Sequence, residues 1–390
     1  MPGFKRLLYL SSNDSFSKMW ISGGRTSCHS FPVNQIEDLC RACRELGAAD
    51  LLLRENSVPH IRLGEVIRSM EAPPFEPAWM EYLWARCGTP ADKTDHDASY
   101  VTEDGVRFRV NLHRQLGLRS AVLRRIETQI PSMEDLGLPV ELLQKWLRRP
   151  SGLILVTGAT GTGKSTTMAA CLNWLNQNFP LHIVTIEDPV EYLFTDGLSH
   201  FTQREVGSDT PSFAEGLRRA LRQTPDVIML GEIRDALSAT TALQAAETGH
   251  LVLASLHSSS ATETVERLSR IFPANERDDA SALLAAQLVG IFTQMLVRGA
   301  RQKLCLVAEH FENQAATRGW IRQGGSTELV DFLNRGANPE NRSMTVNLVA
   351  AVREGRITEP DALSAAPNAD EFRRLMRGIT SGFQAKGASR

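Results

Sequence analysis

The chain is poor in most of the features that settle a protein's class at a glance. It has no apolar run near the roughly 20 residues that span a bilayer; runs such as Leu153 to Val156 and Leu251 to Leu256 fall far short of that length. The six cysteines, at 28, 40, 43, 87, 171 and 305, follow no framework spacing, so they read as reduced thiols. One C-x-x-C, Cys40 and Cys43, lacks the second pair that a four-ligand zinc site needs. Its helical spacing with Ile36, Leu39 and Leu46 points to packing instead. Charge of one sign is also lacking: 43 Lys and Arg against 45 Asp and Glu give a net charge of -2. That balance, with no interleaved basic and aromatic stacking surface, disfavours nucleic acid as a partner. Met1 to Leu10 has neither the continuous apolar region nor the small-residue cleavage site of a signal peptide, so the expectation is a cytoplasmic or membrane-peripheral protein.

What is present is a composition that is 42% hydrophobic and 23% charged over 390 residues, enough for two folded domains. Residues 1–33 are Ser/Gly-rich without periodicity, and read as a poorly ordered arm. Residues 34–130 read as a small α+β domain, with a helix from Asn34 to Leu46, a strand from Asp50, a hairpin from Tyr100 to Val110 turning at Gly105, and a strand from Ser120 to Ile126. Pro131, Gly137 and Pro139 punctuate a linker over 131–150. From 151 to 300, continuous Val/Ile/Leu strands at 153–157, 182–186, 227–230 and 251–256 alternate with helices, which predicts an α/β domain with a parallel sheet covered on both faces. Residues 277–298 and 315–323 read as helical, and 301–390 as a C-terminal strand and helical region.

The chemistry concentrates at the ends of those strands. Gly158-Ala159-Thr160-Gly161-Thr162-Gly163-Lys164-Ser165-Thr166 follows a strand and opens a helix, the context of a Walker A phosphate-binding loop. Its glycines let backbone N–H groups surround phosphates at the positive end of a helix. Lys164 is expected to bridge the β and γ phosphates of ATP, and the Ser165 hydroxyl to ligate Mg²⁺. The run Asp226 to Glu232 has the apolar strand of a Walker B, with Gly231 where a metal-organising Asp often stands and Glu232 as candidate general base. Glu187, Asp188 and Glu191 supply further carboxylates near the metal, Glu187 and Asp188 in its outer coordination shell. His257, at the carboxyl end of the strand 251–256, is placed to sense the γ-phosphate, whereas His250 at the opposite end is expected to be structural or interfacial. No N-K-x-D base-reading motif follows the loop, which disfavours a GTPase.

Together, the Walker A at 158, T-I-E-D-P-V-E-Y at 185, Q-R-E-V-G at 203, D-V-I-M-L-G-E-I-R-D at 226 and A-E-T-G-H-L-V-L-A-S-L-H at 246 resemble, in order and spacing, the secretion ATPases of type II and type IV systems. Within these the chain is most similar to the retraction ATPases of type IV pili, the PilT and PilU group, from about Asn34 to Gly378. The resemblance implies a PAS-like N-terminal domain, a RecA-like ATPase domain and a hexameric ring. It identifies Glu187, Asp188 and Glu191 with an Asp box, His250 and His257 with a His box, and Arg109 and Arg124 with arginines that reach the γ-phosphate. It also implies ATP hydrolysis coupled to pilus retraction and twitching motility, a platform protein at the cytoplasmic face of the inner membrane, and a related ATPase ring as a further partner. Two departures stand out. In Ala315 to Gln323 the arginines of the retraction group's A-I-R-N-L-I-R-E segment remain as Arg318 and Arg322, while its Asn and Glu are replaced. Ala159 stands where Pro is common. An assembly ATPase for secretion or conjugation, and an accessory ATP-binding ring partner, therefore stay open as alternatives.

Overall fold

The computed structural model describes residues 35–379, apart from 65, 90–92, 127–128, 301–303, 324–326 and 337. Of the first 34 residues it describes only the backbone of three short strands, β1 (Leu8–Ser12), β2 (Ser15–Met19) and β3 (Ser30–Phe31), which form an antiparallel sheet. The rest of the expected arm lies outside the described residues. The chain divides into two compact units, Met1–Glu127 and Thr128–Arg390.

In the first unit, helix α1 (Gln35–Glu45) leads into β4 (Asp50–Arg54), β5 (His60–Leu63) and β6 (Val66–Ser69). Then follow α2 (Pro77–Arg86), β7 (Asp95–Val101), β8 (Arg107–Gln115) and β9 (Leu118–Arg125). The strands make a six-stranded sheet in the order β6-β5-β4-β9-β8-β7, every neighbouring pair antiparallel. Alternation does the work here: Phe108, Val110 and Leu112 of β8 are buried with Leu51, Leu53 and Leu123 against Ile36, Leu39, Met80 and Leu83 of the two helices. Arg107, Arg109 and Asn111 consequently stand on the other face. The hairpin between β7 and β8 turns at Gly105, whose φ of 84° favours glycine. Cys40 and Cys43 are buried in the α1 core, where burial pushes both thiols well above their usual range.

The second unit runs α3 (Val140–Leu147), β10 (Gly152–Thr157), α4 (Lys164–Asn178), β11 (His182–Glu187), β12 (His200–Glu205), α5 (Phe213–Ala220), β13 (Val227–Leu230), α6 (Ala236–Glu247) and β14 (Leu251–Leu256). It continues with α7 (Ala261–Ile271), α8 (Arg277–Gln287), β15 (Leu288–Arg298) and β16 (Leu304–Glu312). It ends in α9 (Arg318–Arg322), α10 (Thr327–Arg335), α11 (Met344–Arg353), α12 (Glu359–Ala365) and α13 (Ala369–Met376). The seven strands lie in the order β12-β11-β13-β14-β10-β15-β16, parallel throughout except for β16. β10, β13 and β14 are buried at every position, as their continuous apolar runs predict, with one hydrophobic cluster on each face of the sheet.

Three expectations need correction. Residues 288–298, read as helix, are strand β15, parallel to β10. The run Leu-Val-Gly-Ile-Phe-Thr-Gln-Met-Leu-Val has no period to choose between the two, and its β-branched residues and Phe292 favour the strand. Gly290 admits α3: a Cβ there would lie 2.5 Å from the Trp146 ring. The segment 131–150, read as a linker, contains α3, whose Leu142, Leu143, Trp146 and Leu147 are buried against the sheet. A division at 300 falls between β15 and β16, which pair with each other, so the seven-stranded sheet continues past it. The terminal helices are fastened by Glu309 of β16, a buried carboxylate that accepts the N–H groups of Ala261 at 2.6 Å and Met344 at 3.1 Å, at the starts of α7 and α11.

Candidate functional site

Parallel strands bring their carboxyl ends to one edge of the sheet, and four of them deliver the candidate residues there. β10 ends at Thr157, and residues 158–163 turn into α4, which begins at Lys164. The turn needs left-handed or extended glycine geometry at Gly158 (φ 143°), Gly161 (80°) and Gly163 (85°). Gly163 caps the helix without a side-chain acceptor, so the first N–H groups of α4 are left for an anion. Lys164 Nζ donates to the Gly158 and Ala159 carbonyls at 3.0 and 2.9 Å, and burial lowers its pKa. Thr162 Oγ1 donates to Ala159 O at 2.9 Å, closing the loop on itself. An open cleft of about 350 Å³ lies against this loop, lined by Thr160, Gly161, Gly163, Lys164, Ser165 and Thr166 on one side.

The opposite wall carries Glu187, Asp188, Glu191, Glu232 and His257. Glu187, at the end of β11, is 6% exposed and accepts from Thr185 Oγ1 at 2.6 Å, while burial pushes its carboxyl up to about 7. A chain of polar contacts crosses the cleft. Asp188 Oδ2 accepts from Arg234 Nη1 at 3.0 Å, and Arg234 Nε donates to Glu232 Oε2 at 2.8 Å. Glu232 Oε1 lies 3.4 Å from His257 Nε2, and His257 Nδ1 lies 3.4 Å from Lys164 Nζ. His257 thus presents one ring nitrogen to the lysine and the other to the Glu232 carboxylate.

His250 is away from the cleft, its ring nitrogen 3.0 Å from the Ala245 carbonyl. Arg109 and Arg124 belong to the first unit, where they face each other across β8 and β9. Asp50 holds Arg124 through Nε at 2.7 Å, and also takes Arg62 at 3.0 Å.

Several contributors were not singled out by sequence reasoning. Arg234 bridges two candidate carboxylates from within the D-V-I-M-L-G-E-I-R-D motif. Q-R-E-V-G was recognised as a motif without a role; its Gln203 donates to Tyr192 O at 2.8 Å and accepts from Phe194 N at 2.9 Å, while Glu205 accepts from Val190 N at 3.1 Å. Both therefore shape the acidic loop from the neighbouring strand. Tyr192 in turn joins Thr166 at 2.9 Å between hydroxyls, tying that loop to α4.

The cradle suits a nucleoside triphosphate: uncapped N–H groups and a lysine on one wall, carboxylates on the other. Among the described residues no three His, Cys, Asp or Glu side chains form a ready-made metal cage. Magnesium here would rest on the Ser165 hydroxyl, phosphate oxygens and water, with Glu187 and Asp188 outside them.

Residues 96–359 match the family described as Type II/IV secretion system protein. The chain is 35% identical over 354 residues to the type IV pilus ATPase PilU of Pseudomonas aeruginosa, covering 88% of this chain and 91% of that one. It is 34% identical over 343 residues to the type IV pilus retraction ATPase PilT of the same organism, covering 86% and 99%. The crystal structure of the pilus retraction motor PilT with bound ADP matches with a TM-score of 0.80 at 35% identity, covering 88% of this chain and all of that one. A phosphate cradle, acidic wall and histidine on the fold of that ADP-bound protein leave one conclusion: this chain belongs to the type II/IV secretion system protein family, within its PilT-like ATPases.

Proposed function

We propose that this chain is a motor ATPase of type IV pilus retraction, acting as a hexameric ring that couples ATP hydrolysis to twitching motility. The carrying observation is the chain of contacts from Lys164 through His257, Glu232 and Arg234 to Asp188, which connects the phosphate loop with the ends of three further parallel strands. In this reading the triphosphate replaces the Gly158 and Ala159 carbonyls as the partner of Lys164. Backbone N–H groups of the loop hold its oxygens, and Ser165 presents its hydroxyl to the metal. Magnesium, when bound, neutralises charge on the β and γ phosphates. Glu232, held by Arg234, accepts the proton of the attacking water, and His257 links the state of Glu232 to Lys164. Arg109 and Arg124 reach the γ-phosphate of a neighbouring subunit from a PAS-like N-terminal domain, and the RecA-like domain transmits the resulting movement. The ring works at the cytoplasmic face of the inner membrane, on a pilus platform protein, with a related ATPase ring as a further partner.

A second reading, as an accessory ATP-binding ring or an assembly ATPase for secretion or conjugation, draws on the changed segment Ala315 to Gln323, in which Arg318 and Arg322 remain while the retraction group's Asn and Glu are replaced. A deletion strain separates them. Hyperpiliated, non-twitching cells support retraction, and bald cells support assembly. Normal pilus retraction without the chain, with no ATP turnover by the purified protein, supports the accessory reading.

A further inference from the structure

Gln294 is an unusual residue for its place. It lies in β15 within an apolar run, next to the strand that launches the phosphate loop, and is 1% exposed. A buried amide is costly unless paired. Only half of this one is paired: Nε2 donates to the Thr162 carbonyl at 2.5 Å, while Oε1 is buried with no partner among the described residues. Packing alone would be served by an apolar side chain of similar length, which would bury no unpaired Oε1; what the amide adds is the bond to the Thr162 carbonyl.

The backbone of the same residue meets the other end of the loop. A Cβ at Gly158 would lie 2.4 Å from the Gln294 carbonyl oxygen, so only glycine fits there. The loop is thus seated on Gln294 at both its first glycine and its last turn. A planar trans peptide points its C=O and N–H in opposite directions. Tethering the Thr162 carbonyl to β15 therefore turns the Gly163 N–H away from β15, and Gly163 lines the cleft.

We infer that Gln294 is a positioning residue for nucleotide binding: by holding the Thr162 carbonyl, it aims the Gly163 N–H at the phosphate and keeps an electronegative oxygen out of the cleft. This rests on the nucleotide reading of the site. Gln294 touches the loop rather than the nucleotide, so its loss should weaken binding more than it slows chemistry.

The test uses the full-length protein, a fluorescent ADP analogue for affinity and steady-state ATP turnover. Gln294→Met should weaken ADP binding and raise KM for ATP by about tenfold, the scale of one orphaned buried carbonyl, with kcat within about twofold of the wild type. Gln294→Glu adds a readout that packing alone would not move. Its carboxylate repels the Thr162 carbonyl at high pH, while its protonated form donates to it, so ADP affinity should recover as pH falls from 8 to 6 relative to the wild type. Unchanged affinity in a folded Gln294→Met protein overturns the inference, as does a pH-independent defect in Gln294→Glu. The second variant decides the matter if the first does not fold. A wild-type protein that binds no ADP overturns the nucleotide reading itself, which distinguishes that failure from this one.

Discussion

Replacing Glu232 with Gln tests the assignment of the base with little disturbance to the fold. Glu232 is held by Arg234 Nε at 2.8 Å, but the arginine side chain is 53% exposed, so the ion pair is screened and its loss should lower stability by no more than about 1 kcal/mol. For a unit of this size that corresponds to a fall in Tm of about 2–4 °C. The amide oxygen can still accept from Arg234, so ADP affinity should stay within about threefold of the wild type. Turnover should not survive, because an amide cannot take up the proton of water. Loss of a general base costs about 10² or more in rate, or roughly 2.7 kcal/mol in barrier. Phosphate release under saturating ATP, with Tm and ADP affinity measured on the same preparation, separates these effects. A folded variant that binds ADP and retains more than about a tenth of wild-type turnover would refute the role of Glu232 and move the base to another carboxylate.

Other expectations follow from the same geometry. Mixing Lys164→Ala with Arg109→Ala subunits should partly restore turnover, since some interfaces then join an intact loop to an intact arginine; co-assembled mixtures inactive at every ratio would deny Arg109 a role in trans. Burial raises the Glu187 carboxyl from the ordinary 4.5 to about 7, so the folded chain retains a proton that the unfolded chain releases across that window. Stability should therefore fall as pH rises from about 4.5 to 7, by up to about 3 kcal/mol. Urea unfolding of the nucleotide-free protein in chelator would show it, and a slope that persists in Glu187→Gln would assign it elsewhere. Gly290→Ala places a Cβ 2.5 Å from the Trp146 ring and 2.8 Å from the Phe311 carbonyl, and should destabilise by about 1–3 kcal/mol; an unchanged Tm would mean that α3 shifts freely on the sheet.

Much of the site was legible because its signals are local. Glycine spacing marks the phosphate loop, and short apolar runs mark the buried parallel strands that carry Glu187, Glu232 and His257 to one edge. What sequence could not show depends on distant partners. Arg234 matters because Asp188, 46 residues earlier, follows directly on the neighbouring strand, and Gln294 because it meets Thr162, 132 residues away. β15 was misread because an apolar run long enough for a helix carries no periodicity to deny one. α3 was hidden by Pro139, which looks like linker punctuation but stands at the helix N-cap, where its missing N–H costs nothing.

ATP turnover by the purified full-length protein, measured beside Lys164→Ala, tests the central claim most directly. Lys164 is the cation within reach of both the loop carbonyls and His257, at 2.9 to 3.4 Å. The account predicts magnesium-dependent phosphate release by the wild type and none above background by the folded variant. A wild-type protein that binds ATP without turning it over, or a Lys164→Ala protein with near-normal turnover, would contradict it.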